Sequence, residues 1–303
     1  NLKADGRPML GLDSKELLKI LKGASSDAHL ICAHVWTPWF GVFGSKSGFN
    51  SLEECFDELT PEVFAIETGL SSDPLMNWRI PFLDDKSIVS GSDSHSLPRI
   101  GREATVLDLE VLSYKEIFDA IRSRDPNRFK FTIEFFPEEG KYHYDGHRDE
   151  KHSQSPEETK KAGGKCAKCG KPITAGVMGR VDELAAPDRP EGWQSPQPRT
   201  PFKNLVPLDQ VIADALGVVG SASKKVKEEY MNLIEKVGSE FRALLEASRS
   251  ELEAATLPEI AEGVIRVREG RLHIEPGYDG EYGKVKIFEE GERKEAGKQK
   301  TLF

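Results

Sequence analysis

Ser90-Gly91-Ser92-Asp93-Ser94-His95-Ser96 follows the β-branched run Ser87-Ile88-Val89. That run reads as the end of a buried strand. In an extended chain, the Asp-x-His spacing puts two metal-ligand side chains on the same side. Asp93 and His95 then point at one spot just past the strand's carboxyl end. Taken alone the motif is weak, because a lone histidine is more often packed or surface-exposed. Two other segments repeat the arrangement. Leu30-Ile31-Cys32-Ala33 runs into His34, and Val63-Phe64-Ala65-Ile66 runs into Glu67. Three buried-type strands each deliver a ligand-type residue at the C-terminal end, where parallel α/β barrels keep their chemistry.

The 303 residues suffice for two or more domains. Hydrophobic content of 38% and charged content of 31% give a buried core under a polar surface. No apolar run approaches the roughly 20 residues of a membrane span, and no signal peptide is visible. A cytoplasmic, nucleoid-associated protein is expected. The net charge of −9 argues against a generally basic nucleic-acid-binding surface. A local basic groove remains compatible with it. Cys32 and Cys55 lie in apolar segments and read as core. The chain opens at Asn1 within a loop-like stretch, Ala4-Asp5-Gly6-Arg7-Pro8. A fragment lacking its N-terminal part is expected.

Asp13 or Ser14 caps a helix with Leu17, Leu18 and Leu21 on its apolar face. Ser51 with Glu54, and Ser113 with Glu116, spell capping boxes. The second helix turns Ile117, Ala120 and Ile121 inward, and Phe129 to Phe136 alternates as a strand. Helix and strand thus alternate up to Phe136, which implies parallel α/β. Four clear strands are too few for a closed barrel of about eight. The aromatic loop Val35-Trp36-Thr37-Pro38-Trp39-Phe40-Gly41 is either a core plug or a stacking platform.

From Pro137 the chain becomes polar and rich in histidine. Cys166-Ala167-Lys168-Cys169-Gly170-Lys171 has the form of a zinc knuckle, in which Gly170 permits the tight return. His147 and His152 are spaced to complete a Cys2His2 set, with His143 to spare. Ala185 to Pro201 is a linker. Leu205 to Gly270 is helical, with one helix from Val226 continuing through Phe241, Leu244 and Leu245. Gly217, Gly220, Ser223, Lys224 and Lys225 form a glycine-bearing turn that opens a helix. It is either an ordinary capped turn or a clamp for a DNA phosphate.

Several runs identify a resemblance. Ala33-His34-Val35-Trp36-Thr37-Pro38-Trp39-Phe40-Gly41, Glu67-Thr68-Gly69-Leu70-Ser71-Ser72-Asp73-Pro74, Ser92-Asp93-Ser94-His95-Ser96 and Gly101-Arg102-Glu103-Ala104-Thr105 resemble the endonuclease Q family. So do Glu138-Glu139-Gly140-Lys141-Tyr142-His143-Tyr144-Asp145-Gly146-His147 and Pro276-Gly277-Tyr278-Asp279-Gly280. That family belongs to the polymerase-and-histidinol-phosphatase (PHP) metal-dependent phosphoesterases. The resemblance implies an α/β fold made of a partial PHP-type (β/α) barrel, a small zinc-binding module and a C-terminal helical domain. The expected boundaries are 1–137, 138–195 and 196–290, with a flexible tail at 291–303.

By the same resemblance, the chain is a metal-dependent DNA endonuclease of repair. It would nick 5′ of deaminated bases such as uracil and hypoxanthine, and at abasic sites. His34, Asp93 and His95 map onto the later ligands for divalent ions (Mg, Mn or Zn), and Glu67 sits beside them. Arg102 is a candidate phosphate clamp or a structural ion pair. Trp36, Trp39, Trp78 and Tyr144 are candidates for a wedge or a pocket wall. The family's early His-x-His pair has no counterpart here, so residues 1–303 alone are expected to be inert. A cysteine expected shortly after His147 is also replaced, in Asp149-Glu150-Lys151-His152.

The expected partners are DNA and a DNA sliding clamp. Gln299-Lys300-Thr301-Leu302-Phe303 resembles short clamp-binding peptides, with Gln299, Leu302 and Phe303 making the contacts. Two rival readings are a PHP phosphatase of a small phosphate ester and a non-catalytic accessory protein that binds DNA or a clamp.

Overall fold

The computed structural model describes residues 10–46, 48–289 and 291–292. The clamp-like motif of Gln299, Leu302 and Phe303 lies outside the described residues, as does the opening loop. Helix α1 (Ser14–Ala24) starts at Asp13, whose side chain accepts from the Lys15 N–H at 2.8 Å. Leu18 is fully buried, but Leu17 points outward with 39% exposure, so the buried stripe is narrower than the sequence predicts. Helix α2 (Leu52–Phe56) has half a capping box. Ser51 accepts from Glu54 N, while the Glu54 carboxylate takes Asn50 N instead of reaching back to Ser51.

Strands β1 (Ala65–Glu67) and β2 (Ser87–Val89) pair in parallel, with helix α3 (Pro74–Trp78) between them. The predicted strand before His34 is reduced to one parallel bridge, Cys32 to Ile66. Strand β3 (Ala104–Leu107), helix α4 (Tyr114–Ser123) and strand β4 (Phe129–Glu134) follow. At α4 the Ser113 cap forms, but Glu116 is taken by Arg128 at 2.7 Å. Strands β3 and β4 are antiparallel, a departure from the all-parallel expectation. A short β3 can return beside β4 because its carboxyl end leads into α4, which covers the adjoining core.

Next come the hairpin β5 (Asp145–His147) and β6 (His152–Gln154), helix α5 (Pro156–Lys161) and helix α6 (Val177–Leu184). Val177, Met178 and Val181 of α6 pack into the same core as Leu18, Trp36, Leu52 and Ile66. The histidine-rich segment is therefore anchored to the strand layer.

The linker is held as well. Asp84 takes Arg189 through two bonds of 2.7 and 2.8 Å and Arg199 through a third of 2.7 Å. These arginines hold the Asp84 carboxyl below its usual range.

Strand β7 (Phe202–Asn204) adds in parallel to the free edge of β4. The helical core then follows: α7 (Leu208–Ala215), α8 (Lys224–Val237), α9 (Arg249–Ala255) and α10 (Pro258–Arg268). The predicted continuation of α8 through Leu245 is broken. Gly238 sits at φ +108°, and a single π-type turn covers Arg242–Glu246. A left-handed glycine stops the helix because it can adopt the cap conformation without a Cβ penalty. Strands β8 (His273–Glu275) and β9 (Lys284–Lys286) close the order. Among the described residues no helix is long and apolar enough to cross a membrane.

Ile212 is fully buried in the helical core, whereas Met231 on α8 is 62% exposed. Ile212→Ala should cost about 2–5 kcal/mol. Met231→Ala should stay within about 0.5 kcal/mol. Urea denaturation of both variants checks the contrast.

Candidate functional site at the strand ends

The carboxyl ends of β1 and β2 meet the chain after Cys32. Glu67 N donates to Cys32 O at 2.9 Å and Val35 N to Glu67 O at 3.2 Å. The Glu67 carboxylate accepts from the His34 N–H at 2.8 Å. His34 has φ +33° and Asp93 φ +40°. Non-glycine residues in the left-handed region are uncommon and gather at functional sites. Two glycines make this packing possible. A Cβ on Gly69 would lie 2.5 Å from the His34 Cβ, and one on Gly91 would lie 2.5 Å from a Glu67 oxygen.

Burial raises the Glu67 carboxyl above its usual range; the His34 N–H opposes this, and the Asp93 charge adds to it. His34 Nδ1 is buried with no hydrogen-bond partner. His95 Nε2 lies 3.4 Å from Asp93 Oδ1, and both side chains are about half exposed. Donor type and the orphaned imidazole nitrogen fit one edge of a divalent-ion site. They do not close it: the four residues include no three donor atoms within 4.8 Å of one another.

Arg102 donates from Nε to the Ser92 carbonyl at 3.0 Å, tying the loop that carries Asp93 and His95. Among the described residues no carboxylate lies within ion-pair distance of Arg102. Burial lowers the guanidinium's pKa.

Trp36 is corrected from a DNA-facing candidate to a core residue. It is 1% exposed, donates from Nε1 to Asn77 Oδ1 at 2.8 Å and packs 5.2 Å from Phe43. Trp78 is part-buried, edge-on to Phe202 at 5.7 Å. Trp39 is 48% exposed, edge-on to Tyr142, and its neighbour Phe40 is 76% exposed. The outward aromatic pair is therefore Trp39 and Phe40. Tyr144 gives its hydroxyl to Glu191 at 3.1 Å.

Two acidic residues escaped the sequence reading. Ala104 pairs with Ile133, so Glu103 and Glu134 flank that pair at one end of the β3–β4 ladder. Both are buried. Glu134 accepts from Thr68 Oγ1 at 2.8 Å and Glu103 from Phe135 N at 3.3 Å. Each retains one oxygen without a partner. Burial, then the charge of Glu134, pushes Glu103 up to about 9. Burial likewise pushes Glu134 up to about 8. The available signal was an acid placed at the end of the apolar alternation Phe129 to Phe136.

A second donor group lies in the histidine-rich segment. His147, Cys166 and Cys169 bring three donor atoms within 4.8 Å of one another, with His147 Nδ1 3.2 Å from Cys169 Sγ. Gly170, at φ +73°, returns the chain, and its N–H reaches Cys166 O at 2.8 Å. Burial opposes ionisation of Cys166, but the hydrogen bonds of His147 and of the Cys169 and Lys168 N–H groups outweigh it. The thiol comes down to about 7. Two sulfurs and an imidazole fit zinc. His152 is the register partner of His147, but lies outside the group. Its Nε2 is buried and unpartnered. His143 is remote from the knuckle role: it is buried beside Tyr144, and burial lowers it to about 4.

In the helical segment, Gly217 at φ +64° ends α7 and Ser223 caps α8, accepting from Val226 N at 3.3 Å. Gly220 lies between them at φ +83°. Lys224 and Lys225 stand exposed in the first turn of α8.

A family model described as PHP-associated matches residues 85–126, and one described as the MJ0043 C-terminal domain matches residues 207–271. The uncharacterized protein MJ0043 of Methanocaldococcus jannaschii is 33% identical over 258 residues, which is 82% of this chain and 31% of that protein. The uncharacterized protein YqxK of Bacillus subtilis is 31% identical over 257 residues, 84% of this chain and 60% of that one. A crystal structure of the lesion-specific endonuclease PfuEndoQ from Pyrococcus furiosus superposes with a TM-score of 0.81 at 28% identity. It covers 94% of this chain and 68% of that one. The chain is similar to endonuclease Q over nearly its whole length. Endonuclease Q in complex with a 27-mer duplex bearing an abasic lesion at its active site matches with a TM-score of 0.78 at 28% identity. The chain spans about a third of MJ0043 and less than two thirds of YqxK.

The buried acids give a pH prediction. Their folded pKa values exceed the unfolded value of 4.5, so their stabilising protonation is complete below about 4.5 and is lost as pH rises through 8 to 9. Relative to the wild type, Glu103→Gln should therefore gain at least about 1 kcal/mol between pH 5 and pH 9. Urea midpoints at the two pH values check this.

Proposed function

We propose that the chain belongs to a metal-dependent DNA repair endonuclease that nicks 5′ of uracil, hypoxanthine and abasic sites. The observation that carries this reading is the superposition on endonuclease Q over 94% of the chain at a TM-score of 0.81. The strand-end residues His34, Glu67, Asp93 and His95 support it by donor type and position. We assign residues 1–137 to a partial PHP-type barrel, 138–195 to a zinc module and 196–290 to a helical DNA-binding domain.

A divalent ion held at the strand ends would polarise the phosphate and lower the pKa of the attacking water. Asp93, His95 and the orphaned Nδ1 of His34 would supply its ligands. Glu67 fixes the His34 backbone. Arg102 anchors the loop at Ser92, leaving the rest of its guanidinium for a phosphate. The turn from Gly217 to Lys225 meets a second phosphate with the N–H groups and positive end of α8. Trp39 and Phe40 form the wedge side. Deaminated bases pair weakly, so extruding one costs less than extruding a normal base.

The open donor set favours one second reading, in which these residues alone serve a non-catalytic DNA-binding role. The clamp partnership rests on the pattern Gln299-x-Thr301-Leu302-Phe303 alone.

The full-length gene product with Mn²⁺ or Mg²⁺ should nick duplexes containing uracil, hypoxanthine or an abasic site, and should leave histidinol phosphate intact. Asp93→Ala or His95→Ala should reduce nicking by about a hundredfold or more. Residues 1–303 alone should not nick. Hydrolysis of histidinol phosphate without nicking would replace the endonuclease by a small-ester phosphatase.

Metal analysis should find about one tightly held zinc per chain, because closed structural sites contribute to folding outright. Cys166→Ser should lower the zinc content. Loss on His147→Ala but not on His152→Ala would leave His152 outside the coordination sphere.

A further inference from the structure

The loop that carries Asp93 and His95 is tied at two places. Its base is held at the Ser92 carbonyl by Arg102. Its far side, a single turn at Leu97–Arg99, docks on the helical segment. Arg99 Nη1 donates to Asp209 Oδ1 at 3.2 Å, in the first turn of α7, and Nη2 to Ser221 Oγ at 3.4 Å, in the turn before α8. One planar guanidinium thus reaches both α7 and the turn before α8. Beside it, a Cβ on Gly101 would lie 3.1 Å from the Phe241 ring, so the loop approaches the end of α8 at a second point. Around these contacts the seam is open. A cavity of about 630 Å³ separates Leu97 and Pro98 from Val226 and Tyr230. The loop is therefore held across a gap by a few directed contacts instead of a packed face.

We infer that Arg99 is a positioning residue: it sets the Asp93/His95 loop from the α7–α8 turn, so that phosphate engagement at that turn and the geometry at the strand ends are linked. The inference rests on the endonuclease reading for its catalytic consequence, though the mechanical link does not. Part-exposed ion pairs contribute little to global stability. A small displacement of a reacting group, by contrast, is costly in rate. Arg99 should therefore act on turnover more than on folding. A lysine at this position carries the charge but cannot bridge both partners with one planar fork.

The test pairs two measurements on the full-length protein. By hydrogen exchange, amides of residues 92–102 should exchange about fivefold faster in Arg99→Ala and in Asp209→Asn, with α10 unchanged. In nicking assays, Arg99→Ala should lower kcat about tenfold. Its affinity for lesion-containing duplex should stay within about threefold. Arg99→Lys should recover part of the rate. Unchanged exchange in residues 92–102 overturns the link. A loss of affinity equal to the loss of rate, or no loss of rate, overturns the positioning role. If the wild-type protein fails to nick damaged DNA, the endonuclease reading falls, and the exchange measurement alone decides whether Arg99 couples the two elements.

Discussion

Strand β4 is bonded on both edges, and most of the architecture hangs from that constraint. Antiparallel β3 occupies one edge and parallel β7 the other. Its carboxyl end is further tied to β1 and β2. Thr68 reaches Glu134, and Ser90 Oγ donates to the Ile133 carbonyl at 2.7 Å. Ile133 and Phe136 meanwhile contribute to the helical core. One six-residue strand thus faces the strand-end site on one side and roots the helical segment on the other. A strand paired on both edges cannot slip register without breaking several pairings together. This rigidity is what allows Glu103 and Glu134 to be buried side by side at the end of the ladder.

Much of the strand layer was legible in the sequence, because β-branched and aromatic runs mark β1, β2 and β4. Caps at Asp13, Ser51 and Ser113 were equally legible, since a short polar side chain before an apolar period has one local use. Strand β3 was not, as Ala104-Thr105-Val106-Leu107 is only half buried and its direction is set by tertiary pairing. Strand β7 was hidden for the same reason: Phe202-Lys203-Asn204 has no pattern of its own and exists because β4 offers an edge. In the other direction, Leu30 to Ala33 has strand composition but meets a partner on one side only, and just Cys32 bridges. The strand-ending ligand residues were found by type, but their left-handed backbones at His34 and Asp93 were not. Such conformations come from the surrounding packing of Gly69 and Gly91.

The acidic pair at Glu103 and Glu134 shows the limit of composition-based reading. Acids are assigned to the surface by default because few are buried without partners. Burial pushes both toward the neutral form, while the Thr68 hydroxyl and the Phe135 N–H each satisfy one oxygen and pull the other way. Trp36 is the converse case. Its aromatic loop left open a core plug or a stacking platform; its Nε1–H finds Asn77, and a satisfied indole packs as core.

The double arginine clasp on Asp84 has a bearing on how the molecule comes apart. The segment from Ala185 to Pro201 has the composition of a spacer, yet Arg189 and Arg199 fold it back against Trp78 and Asp84. Its Ala186 N–H also closes on the Arg79 carbonyl at 3.1 Å. A cut in this segment between the two arginines would leave each severed end still fastened to the same carboxylate. Limited proteolysis would then nick the polypeptide without releasing separate pieces, and the clipped molecule would run as one species until denatured.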